Sequence, residues 1–461
     1  MANNLVPQGD LQSSLGTEVK RWKEVHGKIF YGDSFGGAIA DEVNLKATQA
    51  ELARVEGLIA FASAPNYFER DTAFQAIDRI QIASPGILWL NINNKGHKLT
   101  RQVLLNVNEP AAWDTKATPW QPGKNYELDN YVADSTPGYI YRCVTAGTSS
   151  TLTPAFPKVI GATYNDGSVV WECCIDYSAP TNRAGKDFYL YALYSAETLI
   201  PEIILSANAT VPSGYTADTS RKVGGFHCLC ADVGTIAGHK LTGYTAGDIL
   251  PATVWDLKHR PKSAPEGMAY HEGLDMWFSI YLLSWSGTYA DGNLKLVSRY
   301  GAVSADGTSA EKWHCLKFEQ FLGQQKQRLL TWQEFQVASL GSNQGTNVAG
   351  SADVNTTGGF RDTAGRRMIS HIGLEDCCGN LWQWGADVGS ATTGSSSYGN
   401  YYDANDYEVK GQTYGAVYRP LFGGNAANGA VCGSRASYWN RGALSLGWDV
   451  GARAASEPLA E

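Results

Sequence analysis

The sequence predicts a mostly β protein closed by an α+β C-terminal domain, and three observations carry that expectation. The chain holds 50 Gly, 24 Tyr and 14 Trp against only 4 Met, and aromatic, turn-rich sequence of this kind builds short strands and long loops rather than helix bundles. Apolar residues alternate at Leu88, Leu90 and Ile92, and strand pattern recurs at Phe188 to Ser195 and Glu202 to Ser206, the period of half-buried strands. Helical spacing is read only at residues 41–62 and 329–340. At 461 residues the chain is too long for one core and divides into about three or four domains of roughly 100 to 200 residues each. Its 43% hydrophobic and 18% charged residues exclude wholesale disorder.

Taken in order, residues 1–38 are polar and Gly-rich. Within them Gly32-Asp33-Ser34-Phe35-Gly36 fits the elbow that exposes a hydrolase nucleophile, but no alternating strand and helix pattern surrounds it, so it reads as a plain turn. Over 39–62, Leu45, Thr48, Leu52, Val55 and Ile59 are spaced by three and four residues. That spacing suits the seam of a short coiled coil or the apolar face of a helix lying on its own domain. Ile87 to Val107 read as a hairpin turning at Asn93-Asn94-Lys95-Gly96, with Val103, Leu105 and Val107 on the return strand. With the later strands this gives a β-sandwich from 63–112 plus 179–228. The intervening 113–178 differs in character, with Trp120-Gln121-Pro122-Gly123, the run from Tyr139 to Thr148, and Asp166 to Trp171. It is read as an inserted small β module, and it resembles the aromatic modules that recur in phage tail and carbohydrate-binding proteins. In the last domain, 229–461, Leu329 to Leu340 read as a helix with Thr331 as N-cap and Glu334 completing a capping box.

Charge and cysteine usage exclude several function classes. A net charge of -8 and a pI near 5.6 argue against nucleic acid, whose phosphates need clustered Lys and Arg. No window approaches a membrane span and Met1 to Pro7 lack a secretory start, so a chain made in a cytosol, without membrane insertion, is expected. Cys143, Cys173, Cys174, Cys228, Cys230, Cys315, Cys377, Cys378 and Cys432 show no Cys-x-x-Cys spacing, which favours buried thiols over a metal site or disulfide framework. His271-Glu272 is followed by Asp275 rather than a second zinc-ligand His. Asp403, Asn405 and Asp406 read as turn residues in preference to calcium ligands. No cofactor, metal or catalytic residue is expected.

The C-terminal domain strings together Gly379-Asn380-Leu381-Trp382-Gln383-Trp384, a Gly/Ser/Tyr loop, Phe422-Gly423-Gly424, Gly433-Ser434-Arg435-Ala436 and Gly451-Ala452-Arg453. This order resembles the C-type lectin fold in its formylglycine-generating-enzyme branch. More closely it is similar to the major tropism determinant family, receptor-binding tail proteins of phages that carry a diversity-generating retroelement. The resemblance covers residues 86–108 and resumes from about Lys186 to Glu461. It implies a virion protein at the tail tip or tail fibre, a homotrimer stapled by the coiled coil, docking to other tail proteins through residues 1–38, and attachment to a host cell-surface receptor. In that family the variable positions are those where template adenines are miscopied. Laid on residues 424–453, that pattern marks Asn425, Ala427, Asn428, Gly429, Val431, Tyr438, Asn440, Arg441, Ser445, Gly447, Asp449 and Val450 as the replaceable, receptor-facing set.

Adenine changes in AAC or AAT codons yield Asn, Ser, Tyr, Asp, Gly, Ala, Val or Arg but never Lys, Glu, Gln, Met or Trp, and every marked residue is permitted. The fixed scaffold is expected in Trp382, Trp384, Arg435, Trp439, Trp448 and Arg453, buried and hydrogen-bonded, with the replaceable side chains pointing outward. Two alternatives remain: a glycan-binding tail-fibre lectin that never diversifies, and a formylglycine-generating-type enzyme. The enzyme reading is weakened because its copper needs a C-terminal cysteine pair and this region has Cys432 alone.

Overall fold

A computed structural model describes residues 66–134, 136–350, 356–388, 398–400, 412–414 and 418–459. The expectations for residues 1–38, for the seam over 39–62 and for Asp403, Asn405 and Asp406 lie outside them. The described residues divide into two compact units, one holding residues 66–69 with 89–97 and the other those from 70–88 and 98–459.

The early hairpin turns more tightly than its sequence suggested. Asn93 and Asn94 take φ of 49° and 59°, the left-handed pair that a two-residue hairpin turn requires. The return strand therefore starts at once: Leu88–Ile92 and Lys95–Leu99 join Phe68–Arg70 in a three-stranded sheet. The alternation at Val103, Leu105 and Val107 belongs elsewhere, because Leu104–Asn106 pairs with Gln81–Ala83 in a separate sheet. The expected hairpin thus merged two strands from different sheets.

In the larger unit, Glu202–Ser206, Asp187–Leu193, Ser220–His227 and Trp255–Asp256 lie side by side in that order as a four-stranded sheet. The sheet takes in Trp255 and Asp256, past the expected boundary at residue 228. Gly225 is required there, since a Cβ would sit 2.6 Å from the Phe188 carbonyl oxygen and 2.8 Å from the Trp255 ring.

Residues 118–175 build their own five-stranded sheet around a core of Tyr126, Val132, Tyr141, Phe156, Val169 and Trp171. Buried Asp166 accepts from the indole N–H groups of Trp120 at 2.8 Å and Trp171 at 3.1 Å. Burial pushes its carboxyl up, but hydrogen bonds from Ser150 and the two indoles outweigh this and hold it below the usual value. Where the chain leaves this module and where it returns, one wholly buried guanidinium holds both ends. Arg183 donates to the carbonyls of Val107 at 3.0 Å, Tyr177 at 2.8 Å, Ser178 at 2.6 Å and Gly247 at 3.2 Å.

The C-terminal part carries the helices Cys315–Gln324 and Trp332–Ala338. The second has the expected cap: the Thr331 hydroxyl accepts from the Glu334 N–H while the Glu334 carboxylate accepts from the Thr331 N–H. The first has an unusual N-cap, His314, whose Nδ1 accepts from the Lys317 N–H at 3.3 Å. One sheet runs Met268–His271, Met276–Ser279, Ala454–Ser456, Arg328–Leu329. Another runs Ser437–Gly442, Tyr418–Phe422, Trp382–Trp384, Val450–Gly451, and it presents the candidate site. All nine cysteines are free, and all but Cys174 are buried.

Candidate functional site

The sheet that carries the site is anchored from beneath by Arg453. Its guanidinium is buried and donates to the carbonyls of Ser279 at 2.5 Å and Ile280 at 2.7 Å, to that of Glu375, and through Nε to Gln383 Oε1 at 3.2 Å. Gln383 in turn donates to the Cys377 carbonyl at 2.7 Å. Three stretches of chain, at 279–280, 375–383 and 453, therefore meet at one side chain that cannot lose its charge. Trp384, 1% exposed, packs with Leu421 and Val450, while Phe422 stacks on Phe335 with ring centroids 5.4 Å apart. Close by, Arg367 and Glu375 form a fully buried ion pair at 2.6 Å. Asp376 beside them is pushed up to about 7, chiefly by burial and then by the Glu375 charge.

Above this frame the segment 423–450 runs as a loop, a strand and a second loop. Gly423 and Gly424 have φ of 92° and 83°, and a Cβ on Gly424 would meet Cys432 Sγ at 2.7 Å; only glycine fits this turn. A short 3-10 helix, Gly429–Val431, follows. Ser437–Gly442 then pairs antiparallel with Tyr418–Phe422, Tyr438 opposite Leu421 and Arg441 opposite Arg419, with a bulge between. Trp439 is half-buried, its indole N–H donating to Ser437 Oγ at 3.0 Å and its ring edge-on to Trp332 at 5.8 Å.

Most of the replaceable set gathers on this outer rim. Ala427, Val431, Tyr438 and Asn440 are exposed, and Asn428, Gly429, Arg441, Ser445, Gly447 and Asp449 are half-buried. Several touch each other. Asn425 Nδ2 donates to Asp449 Oδ2 at 3.1 Å, and Asn428 Oδ1 accepts from the Asn425 N–H at 2.9 Å. A Cβ on Gly447 would come within 2.5 Å of Asp449 Oδ1 and 3.0 Å of an Arg441 guanidinium nitrogen. The Arg441 Nε is buried with no hydrogen-bond partner among the described residues.

The structure corrects several of the sequence assignments. Trp382 and Trp439 were expected buried and are half-buried, and the indole N–H of buried Trp384 has no hydrogen-bond partner among the described residues. Asn425 and Val450 were expected to point outward, and both are buried. Asn425 uses its side chain to hold the loop, its Oδ1 accepting from the Ala427 N–H at 3.0 Å. Val450 starts the strand opposite Trp382 and turns into the core. Arg435 and Trp448 were expected inside, and both are exposed. Arg435 sits in the turn closed by the Ala436 N–H on the Gly433 carbonyl, and central turn residues project. Trp448 lies in the turn before Val450 and is 50% exposed. Sequence reasoning also missed the outer brace: Gln344 Oε1 accepts from the Ser434 N–H at 3.1 Å, and Asn347 Nδ2 donates to the Ala426 carbonyl.

Burial pushes the Cys432 thiol to about 11, so it stays protonated at neutral pH. Among the described residues no group of three or more His, Cys, Asp or Glu is placed to hold a metal.

Residues 160–256 match the family described as Mtd second domain. The chain is 30% identical over 279 residues to the tail fiber receptor-binding protein of Bordetella phage BPP-1, covering 57% of this chain and 68% of the relative. The folds of the Major Tropism Determinant U1 and P3c variants superpose with a TM-score of 0.58 for each, at 23% identity. The alignments cover 86% of this chain and 87% of the U1 variant, and 87% of this chain and 88% of the P3c variant. With its shared sequence and fold, the chain belongs to the major tropism determinant family of phage tail fiber receptor-binding proteins.

Proposed function

We propose that this chain attaches a phage particle to its host, contacting a cell-surface receptor through the rim at residues 424–449. One observation supports this above the others: the frame beneath the rim is held by the buried Arg453 and Gln383 side chains, so the rim's exposed side chains, Ala427, Val431, Tyr438 and Asn440, can change without unfolding the domain. Tyr438, Asn440 and Arg441 lie along one strand, and they are residue types favoured at binding surfaces. We further propose that adenine-directed mutation diversifies this rim and that a trimer docked to the tail through residues 1–38 multiplies a weak single contact by avidity. The competing reading, a glycan-binding lectin that never diversifies, differs in the DNA. Diversification requires a second copy of the stretch encoding Gly424 to Arg453, differing only at adenines, beside a reverse transcriptase gene.

Adsorption tests the attachment itself. Replacing Tyr438, Asn440 and Arg441 together with alanine should abolish binding to host cells while oligomeric state and melting temperature hardly move. Undiminished adsorption by that variant overturns the site assignment.

A further inference from the structure

Trp448 combines three properties that a scaffold residue does not need. It stands half in water, leaving roughly 100 Å² of indole surface unburied, whereas Trp384 on the neighbouring strand is 1% exposed. Its backbone is nonetheless fixed on both sides: the Trp382 N–H donates to the Asp449 carbonyl at 2.9 Å, and the Gly307 N–H donates to the Gly447 carbonyl at 3.1 Å. A Cβ on Gly307 would fall 2.2 Å from the Gly447 nitrogen, so the two backbone segments are in close contact there. A large aromatic group is thus displayed from a backbone that is already ordered, which lowers the entropic cost of using it in a contact.

Its neighbours are the rim residues themselves. Gly447 and Asp449 flank it, and through them it adjoins Arg441 and Asn425. Tryptophan has the single codon TGG, which contains no adenine. Under the proposed diversification of AAC and AAT codons, on which this step rests, Trp448 is therefore neither created nor removed while its neighbours change.

We infer that Trp448 is a constant anchor of the receptor-binding surface, seated on an apolar or C–H-rich patch of whatever receptor the surrounding residues select. Variable positions then set which partner is accepted, and the indole supplies a share of affinity common to all of them. Anchors of this kind dominate interfaces out of proportion to their number.

The test uses the full-length chain, fluorescently labelled, on a panel of intact bacterial strains that includes Bordetella. Four proteins are compared: the parent, Trp448→Ala, Trp448→Phe and the triple alanine variant of Tyr438, Asn440 and Arg441. Trp448→Ala should bind at least about tenfold more weakly on every strain the parent binds, with Trp448→Phe close to the parent and the melting temperature within about 2 °C. Unchanged binding by Trp448→Ala, with binding lost in the triple variant, overturns the anchor and leaves the attachment reading standing. Unchanged binding by the triple variant, or a parent that binds no strain, overturns the attachment reading first. A melting temperature lowered by many degrees in Trp448→Ala returns the residue to the scaffold and also overturns the anchor.

Discussion

Two arginines near the end of the chain show how differently the frame and the rim use the same residue type. Arg453 is buried and makes four hydrogen bonds that join distant segments. Arg435 projects from a turn into water. Around Arg453 each polar group has a particular partner, and removing one strands the others in a medium that cannot replace them. On the rim, water substitutes for a lost partner. The difference in tolerance comes from solvent access more than from secondary structure, since strand and loop residues occur in both regions.

Removing the keystone is the strongest way to break this contrast. Arg453→Ala leaves three carbonyls and the Gln383 amide oxygen without their donor, and should cost at least about 3 kcal/mol of unfolding free energy, read by urea titration. A loss under about 1 kcal/mol would mean that the seam does not depend on this residue.

A second prediction uses pH. Asp376 is raised from its ordinary 3.8 to about 7, first by burial and then by Glu375. Between those values the unfolded chain ionises this group while the folded chain resists. Its contribution to stability is therefore complete below 3.8 and is lost as pH rises through about 7. Asp376→Asn removes the titration and keeps an acceptor for the Gly358 N–H, which now donates to Asp376 Oδ2 at 2.6 Å. Relative to the parent, the variant should gain about 1 kcal/mol or more between pH 4 and 7. Parallel stability curves across that window would refute the assignment.

The smallest effect lies on the rim. Val431 is 61% exposed, and Val431→Ser should change stability by less than about 0.5 kcal/mol, seen as an unmoved thermal melt. A clear destabilisation there would show that the rim and the frame are one cooperative unit.

Legibility in the sequence followed the same division. The capped helix at Trp332–Ala338 was readable because its cap is local, as was the strand Asp187–Leu193, whose aromatic and aliphatic run is itself a local signal. The His314 cap was not, since histidine rarely takes that place. Residue order marked the rim and identified Arg453 as part of the frame. It did not give side-chain direction: Trp448 and Arg435 resemble core residues in composition, and only the turns that hold them send them outward. Asn425 and Val450 erred in the other direction, because their burial depends on pairing with Asn380 and Trp382 far back in the chain.

The Arg183 knot has a consequence for how such chains acquire parts. One guanidinium touches the carbonyl of Val107 on the way out and those of Tyr177 and Ser178 on the way back, so the two ends of the inserted module already lie side by side. Closing a loop between adjacent ends costs entropy that grows only with the logarithm of loop length. The host fold therefore constrains the spacing of those ends far more than the size of what hangs between them. By that argument a compact domain of a different length fits between the same ends at nearly the same entropic cost.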